Sequence, residues 1–144
     1  MSSIAPSVRP GAAAAPGAIV EAYLTAHMIP DPDKARQYCA PGMQITFTGG
    51  RRMNDPAEAT AFNKGRYKWV KKKFERTDVV AGSGPDESIV YSIGTLYGEW
   101  PDGTPFSGNR YVDRYVLRHG LIVEMQVWND SAEILLARAG LAKL

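Results

Sequence analysis

The chain of 144 residues is poor in the residues that build metal and redox sites: it has one cysteine, Cys39, and two histidines, His27 and His119. A single thiol excludes an internal disulfide and suits a reducing compartment. Cys39 sits in an apolar stretch read as helical, where a buried, inert thiol is expected. Two histidines far apart in sequence, with no cysteine pair, give no ligand spacing for zinc, so no metal is expected. A Walker-type loop, a GxGxxG turn, an HExxH helix and a GxSxG elbow are also missing, which leaves no cofactor motif. No segment reaches the roughly 18 apolar residues of a membrane span, and the first residues have neither a basic start nor a long apolar run. A cytoplasmic protein is the expectation. The net charge of +2 is too small to argue for nucleic acid. The basic cluster from Lys64 to Arg76, opposed only by Glu75, reads as a solvated helix end.

What is present centres on Asn109 to Asp130, NRYVDRYVLRHGLIVEMQVWND. Tyr111, Asp113, Tyr115 and Leu117 alternate with Arg110, Val112, Arg114, Val116 and Arg118, the period of a strand with one buried face. His119-Gly120 occupies the two positions of a tight hairpin turn, where positive φ is needed. The return strand places Val123, Met125 and Val127 against Glu124, Gln126 and Trp128. One carboxylate, Asp113, therefore lies on an aromatic and aliphatic face.

The remainder divides into an N-terminal arm, residues 1–16, of Ala, Pro, Ser and Gly, and a domain over 17–144. A first helix runs from Gly17 to Met28 with Ile19, Val20, Tyr23, Leu24 and His27 on its apolar stripe, and Pro30 ends it. Asp31-Pro32 opens a second, short helix. Met43, Ile45 and Phe47 alternate in a first strand. Asp55, Pro56 and Glu58 form a capping box for a third helix, whose buried stripe is expected to include Ala59, Phe62, Trp69 and Val70. Strands follow over Phe74–Ala81 and Ser88–Trp100, then the hairpin, then a last helix with Asp130 as N-cap and Glu133 three residues on. No internal repeat is visible. Helices on one face of a curved antiparallel sheet make an α+β layer fold.

Asp113 is the candidate for chemistry. Between Tyr111 and Tyr115 it loses hydration, which raises its pKa, and the site must supply hydrogen bonds or keep it neutral. A strand Asp paired with an arginine or a tyrosine hydroxyl is the structural alternative. His27, one turn after Tyr23, is an inward imidazole; His119 lies in the turn and faces solvent.

The element order and NRYVDRYVLRHGLI followed by WND and an amphipathic helix resemble the nuclear transport factor-like α+β cone superfamily, over roughly Gly17 to Leu141. That group includes ketosteroid isomerases, SnoaL-like polyketide cyclases and the phenazine-biosynthesis A/B proteins. The resemblance implies a curved antiparallel sheet forming a cone, with helices packed on its concave face, a homodimer, and a hydrophobic small-molecule partner. EAYLTAHMIPD is similar to the first helix of ketosteroid isomerases, which puts Tyr23 at an oxyanion donor and Asp113 at the second, protonated donor. The general base of those enzymes falls on Phe47, and the acidic residue of the last strand in the cyclases falls on Val127. The phenazine histidine and serine fall near Thr60 and Lys64. By this resemblance the catalytic candidates are Asp113, Tyr23 and His27, the last as base. The pocket lining is Phe47, Trp69, Tyr111, Tyr115, Met125, Val127 and Asn129. Two readings stay open: a cofactor-free isomerase or cyclase that stabilises an enolate of a cyclic carbonyl compound, and a non-catalytic small-molecule-binding or interaction protein. The outward Trp128 and Gln126 suit a dimer contact.

Overall fold

The computed structural model describes residues 14–144, so most of the expected arm lies outside the described residues, and the first helix begins at Pro16. The elements are α1 (Pro16–Met28), α2 (Pro32–Arg36), β1 (Cys39–Thr46), β2 (Arg52–Met53), α3 (Pro56–Arg66), β3 (Trp69–Ala81), β4 (Glu87–Glu99), β5 (Pro105–Arg118), β6 (Leu121–Asn129) and α4 (Ser131–Arg138). Six strands form one sheet in the order β2-β1-β6-β5-β4-β3. The helices pack on one side of it, α1 against β3 and β4 and α3 against β2 and β3. The architecture is α+β, as expected.

Local chemistry explains the helix starts. Asp31 accepts the Lys34 N–H at 3.0 Å, and Pro32 begins α2. Asp55 accepts the Ala57 N–H at 2.8 Å, while Glu58 reaches back to the Asp55 N–H at 3.1 Å. Two free helix donors are thereby satisfied reciprocally. The same Asp55 carboxylate takes both Nε and Nη2 of Arg36, at 2.6 and 2.7 Å, which ties α2 to α3.

The β5–β6 hairpin turns through His119 (φ 51°) and Gly120 (φ 74°), the two positive φ values that a two-residue loop matched to strand twist requires. On β5 the expected alternation holds: Tyr111, Asp113, Tyr115 and Leu117 are all at most 2% exposed.

Five expectations need correction. The sheet is mixed, because β1 runs parallel to β6, with Ile45 opposite Met125. On β6 a bulge between the pairs Val116–Glu124 and Leu117–Ile122 shifts the early residues by one, so Ile122 is buried and Val123 is only half-buried. Cys39 opens β1 instead of lying in a helix; burial pushes its half-buried thiol up to about 12, which keeps it un-ionised. Trp69 and Val70 belong to β3, because α3 ends at Arg66 and the chain is extended from Tyr67. The Asp130 side chain does not cap α4; it accepts Arg110 Nε at 2.7 Å, and Asn129 Oδ1 accepts the Ser131 N–H at 3.0 Å.

β3 is the outer edge of the sheet, and its Lys71-Lys72-Lys73 run discourages pairing with another chain. Its contact with β4 is close at Gly94, where a Cβ would lie 2.0 Å from the Lys73 carbonyl oxygen and 3.0 Å from the Tyr111 ring. Glycine in a strand is ordinarily unfavourable relative to alanine. Here the sign reverses: Gly94→Ala should lower stability by roughly 1–3 kcal/mol, the range for overpacking a tight site. A urea midpoint equal to or above that of the native protein would show that β3 moves aside freely.

Candidate functional site

The inward face of β4 carries Val90, Ser92, Gly94 and Leu96, all buried. Gly94 stands between Phe74 on β3 and Tyr111 on β5, and Ser92 stands beside Asp113. Over the first half of β3 the half-buried residues are Val70, Lys72 and Phe74, at the spacing of two that puts them on one face. Lys72 therefore points inward from the edge strand. Its side chain reaches across β4 to β5, and Nζ lies 4.0 Å from the centre of the Tyr111 ring. There it forms an ion pair with Asp113 Oδ2. The Asp113 side chain is fully buried, and that of Lys72 is 13% exposed.

The same oxygen accepts the Tyr115 hydroxyl at 3.0 Å, while Asp113 Oδ1 has no partner among the described residues. Burial pushes the Asp113 carboxyl above the usual carboxylate range, and the Lys72 ammonium and the Tyr115 hydroxyl pull against it. Tyr111 is held by Ser92, with the two hydroxyls 2.9 Å apart. Tyr23 donates to Met125 Sδ at 3.6 Å and meets the Tyr115 ring edge-on at 6.0 Å. Burial raises its phenol well above the ordinary value, with smaller contributions from Cys39 and Asp113.

His27 stacks on Tyr23 with ring centres 6.0 Å apart and planes at 6°. Its Nε2 lies 3.5 Å from Asn63 Nδ2, and its buried Nδ1 has no partner among the described residues. Burial first, and the Lys72 charge second, push the imidazole down to about 4. At neutral pH it is uncharged and in the form that accepts a proton.

Lys72 and His27 border a cavity of about 400 Å³. Phe47, Leu96, Met125 and Val127 make an apolar interior, with Thr60 and Asn63 as polar points. Among the residues expected at the site, His27, Phe47, Trp69, Met125, Val127 and Asn129 line this cavity. Tyr23, Tyr111, Asp113 and Tyr115 are not in its lining. They form a buried cluster joined to the cavity by Lys72 and His27, which belong to both. At one end Tyr67 donates to Ser131 Oγ at 2.7 Å, and Asn109 Nδ2 donates to the same oxygen at 3.2 Å. Among the described residues no three His, Cys, Asp or Glu side chains converge as a metal site requires, and no helix is long and apolar enough to cross a membrane.

Lys72 is the residue that sequence reading missed. With Trp69 and Val70 assigned to a helix, VKKKFER reads as a charged helix end. Its real signal is period two, because Val70 and Phe74 flank Lys72 on the same strand face.

No family model matches the chain, and no curated protein matches it. Solved structures of one fold do. An NTF2-like protein of unknown function from Burkholderia pseudomallei is similar with a TM-score of 0.65 and 16% identity, over 81% of this chain and 92% of that one. A loop-truncation variant of IdmH aligns with a TM-score of 0.66 and 20% identity, over 84% of this chain and 97% of that one. A protein of ketosteroid isomerase-like fold from Catenulispora acidiphila, in complex with trimethylamine, aligns with a TM-score of 0.64 and 18% identity, over 86% and 93%. The chain has the NTF2-like, ketosteroid isomerase-like fold; identities this low carry the fold alone.

The depressed imidazole has a consequence for stability. Between about pH 6.5 and about 4 the unfolded chain protonates His27 and the native state does not. Stability therefore falls as pH falls through that window, by up to roughly 3 kcal/mol from this group. Asp113 works in the opposite sense, since its native carboxyl takes a proton before the unfolded one. Urea melts at neutral pH and near pH 4.5 should show a shallower acid loss in His27→Gln than in the native protein. Equal losses would mean that His27 charges without penalty in the fold.

Proposed function

We propose that the cavity binds a cyclic, largely apolar small molecule bearing a carbonyl oxygen, and that the protein acts on it as an isomerase or cyclase by proton transfer. The observation that carries this reading is the Lys72–Asp113 ion pair at the edge of an apolar cavity. An ammonium in a poorly hydrated wall, even one paired with a carboxylate, donates to a developing negative oxygen more strongly than it would in water. A ligand oxygen next to Lys72 Nζ would gain that stabilisation as its carbonyl becomes an enolate. Asp113 positions the lysine, and Tyr115 positions Asp113. The uncharged His27 supplies a proton acceptor on the same cavity. Its pKa of about 4 makes it a weak base. A carboxylate base of pKa about 4.6 serves ketosteroid isomerase when its oxyanion site is strong.

A second reading, a binding protein without chemistry, is favoured by one observation. Among the described residues the lining holds no carboxylate, so His27 is the one of them suited to removing a proton at neutral pH. If it does not act, the site only binds.

A fused-ring phenol whose absorption changes on ionisation tests the oxyanion site. Bound to the native protein it should ionise at least one pH unit below its free value. Lys72→Met should abolish that shift, Asp113→Asn should retain it because the cation remains, and Tyr23→Phe should leave it unchanged. A shift that survives Lys72→Met but disappears in Tyr23→Phe or Asp113→Asn would move the oxyanion site to those groups. Binding with no shift in the native protein would support the non-catalytic reading.

A further inference from the structure

Three consecutive lysines on β3 stand in two different settings. Lys71 and Lys73 are exposed, and protection of the sheet edge accounts for them. Lys72 points inward, where edge protection does not apply. Stability does not account for it either, since a buried ion pair is often no better than apolar residues of the same shape. Its side chain is 13% exposed, lines the apolar cavity and carries a primary amine. A lysine amine in a poorly hydrated pocket is suited to attack a carbonyl carbon. The obstacle is the proton it carries at rest, and its partner is suited to take that proton. Asp113 Oδ2 is in contact with Nζ, and burial pushes the carboxyl above the usual carboxylate range. Asp113 Oδ1 has no partner among the described residues to favour the anionic form. Passing the proton across the pair removes two buried charges at once.

We propose that Lys72 is a nucleophile that binds an aldehyde or ketone covalently as an imine, with Asp113 taking and returning the protons. The proposal rests on the carbonyl-binding reading above and specifies how that site engages its ligand. No further reactant is needed. The Lys72 ammonium gives a proton to Asp113, and the freed lone pair forms a C–N bond to the carbonyl carbon as the C=O π pair moves onto oxygen. One proton then leaves the nitrogen and one reaches that oxygen, by way of the same carboxyl, which gives a neutral carbinolamine. Asp113 next protonates the hydroxyl, the C–O bond breaks to release water, and the nitrogen lone pair closes the C=N bond. The product is a protonated imine beside an ionised Asp113, so the charge pair is restored. A carbon next to a protonated imine loses a proton more readily than one next to a neutral carbonyl. That suits a base as weak as His27, whose imidazole is pushed down to about 4.

The carbonyl oxygen distinguishes this route from an enolate held by the ammonium. An enolate exchanges the hydrogens beside the carbonyl with solvent but keeps its oxygen, whereas an imine, on hydrolysis, takes a new oxygen from water. β-Tetralone, an uncharged fused-ring ketone, is therefore incubated with the protein in heavy-oxygen water and separately in deuterium oxide. The native protein should exchange the ketone oxygen at least about tenfold faster than buffer or Lys72→Arg, a small part of what holding amine and carbonyl together can supply. Lys72→Arg keeps a cation opposite Asp113 but has no amine that forms an imine. Calorimetric binding of β-tetralol, which lacks the carbonyl, checks that the variant's cavity is intact, and Lys72→Met gives the same comparison if arginine crowds it. Cyanoborohydride, which reduces protonated imines in preference to ketones, should fix the adduct on Lys72, located by peptide mass mapping. Excess β-tetralol should suppress that labelling, and the exposed Lys34 and Lys143 should be labelled far less.

Deuterium exchange without oxygen exchange, and no adduct on Lys72, overturns the imine and leaves the enolate reading standing. No binding of either the ketone or the alcohol overturns both. Oxygen exchange that persists in both Lys72 variants, or labelling of Lys34 and Lys143 equal to that of Lys72, would show unspecific amine chemistry and overturn the assignment to this site.

Discussion

A lysine ammonium and an aspartate carboxylate meet where the interior is otherwise aromatic and aliphatic, and much of this fold can be understood from what that meeting requires. Each charge alone would be costly to bury, by several kcal/mol after relaxation. Paired, with the Tyr115 hydroxyl on the same oxygen, they are tolerated. Buried pairs of this kind are seldom the cheapest way to fill a core, and replacing one with apolar residues of similar shape is often neutral or stabilising. The stability of this chain rests on its apolar core, on residues such as Leu24, Ile45 and Ile122. The pair is better understood as a charge kept ready at a dry surface.

The strands around it suit that purpose. Lys72 comes from an edge strand, and Asp113 lies two strands further in. Only a long side chain spans that gap, while Gly94 on β4 lets the Lys73 carbonyl and the Tyr111 ring approach closely. The end of α1 covers the same region. The Lys72 N–H, unused by the sheet at its edge, meets Met28 Sδ at 3.0 Å, and His27 stands one residue earlier. Helix and edge strand thus bring a proton acceptor and a cation to one cavity, although 45 residues of sequence separate them. Electrostatics links them as well, because the lysine charge helps to keep the imidazole neutral.

Much of the fold was readable in the sequence because the signals were local and strong. The alternation of Tyr111, Asp113, Tyr115 and Leu117, the His119-Gly120 turn and the Asp55–Glu58 capping box each state a conformation within a few residues. The errors arose where local and longer-range signals compete. Asp130 has the composition of a helix cap, but Arg110 across the sheet takes its carboxylate and Asn129 caps instead. The bulge that exchanges Val123 for Ile122 has no sequence mark beyond a run of β-branched residues. At the site, the burial of Asp113 was legible and its partner was not. A triple-lysine run looks like a solvated surface until the strand period is known, and the middle lysine then faces inward alone. The parallel pairing of β1 with β6 is a matter of topology that no short pattern encodes.

The charge state and confinement of the pair are open to direct observation. Isotope-edited NMR of the Lys72 side-chain nitrogen and the Asp113 carboxyl carbon, at neutral pH and without ligand, reads both partners in one sample. The expected result is a Lys72 ammonium whose hydrogens exchange far more slowly with water than those of the exposed Lys34 and Lys143, correlated with an ionised Asp113. A Lys72 ammonium that exchanges like the surface lysines, beside a protonated Asp113 carboxyl, would contradict the buried ion pair and the oxyanion site built on it.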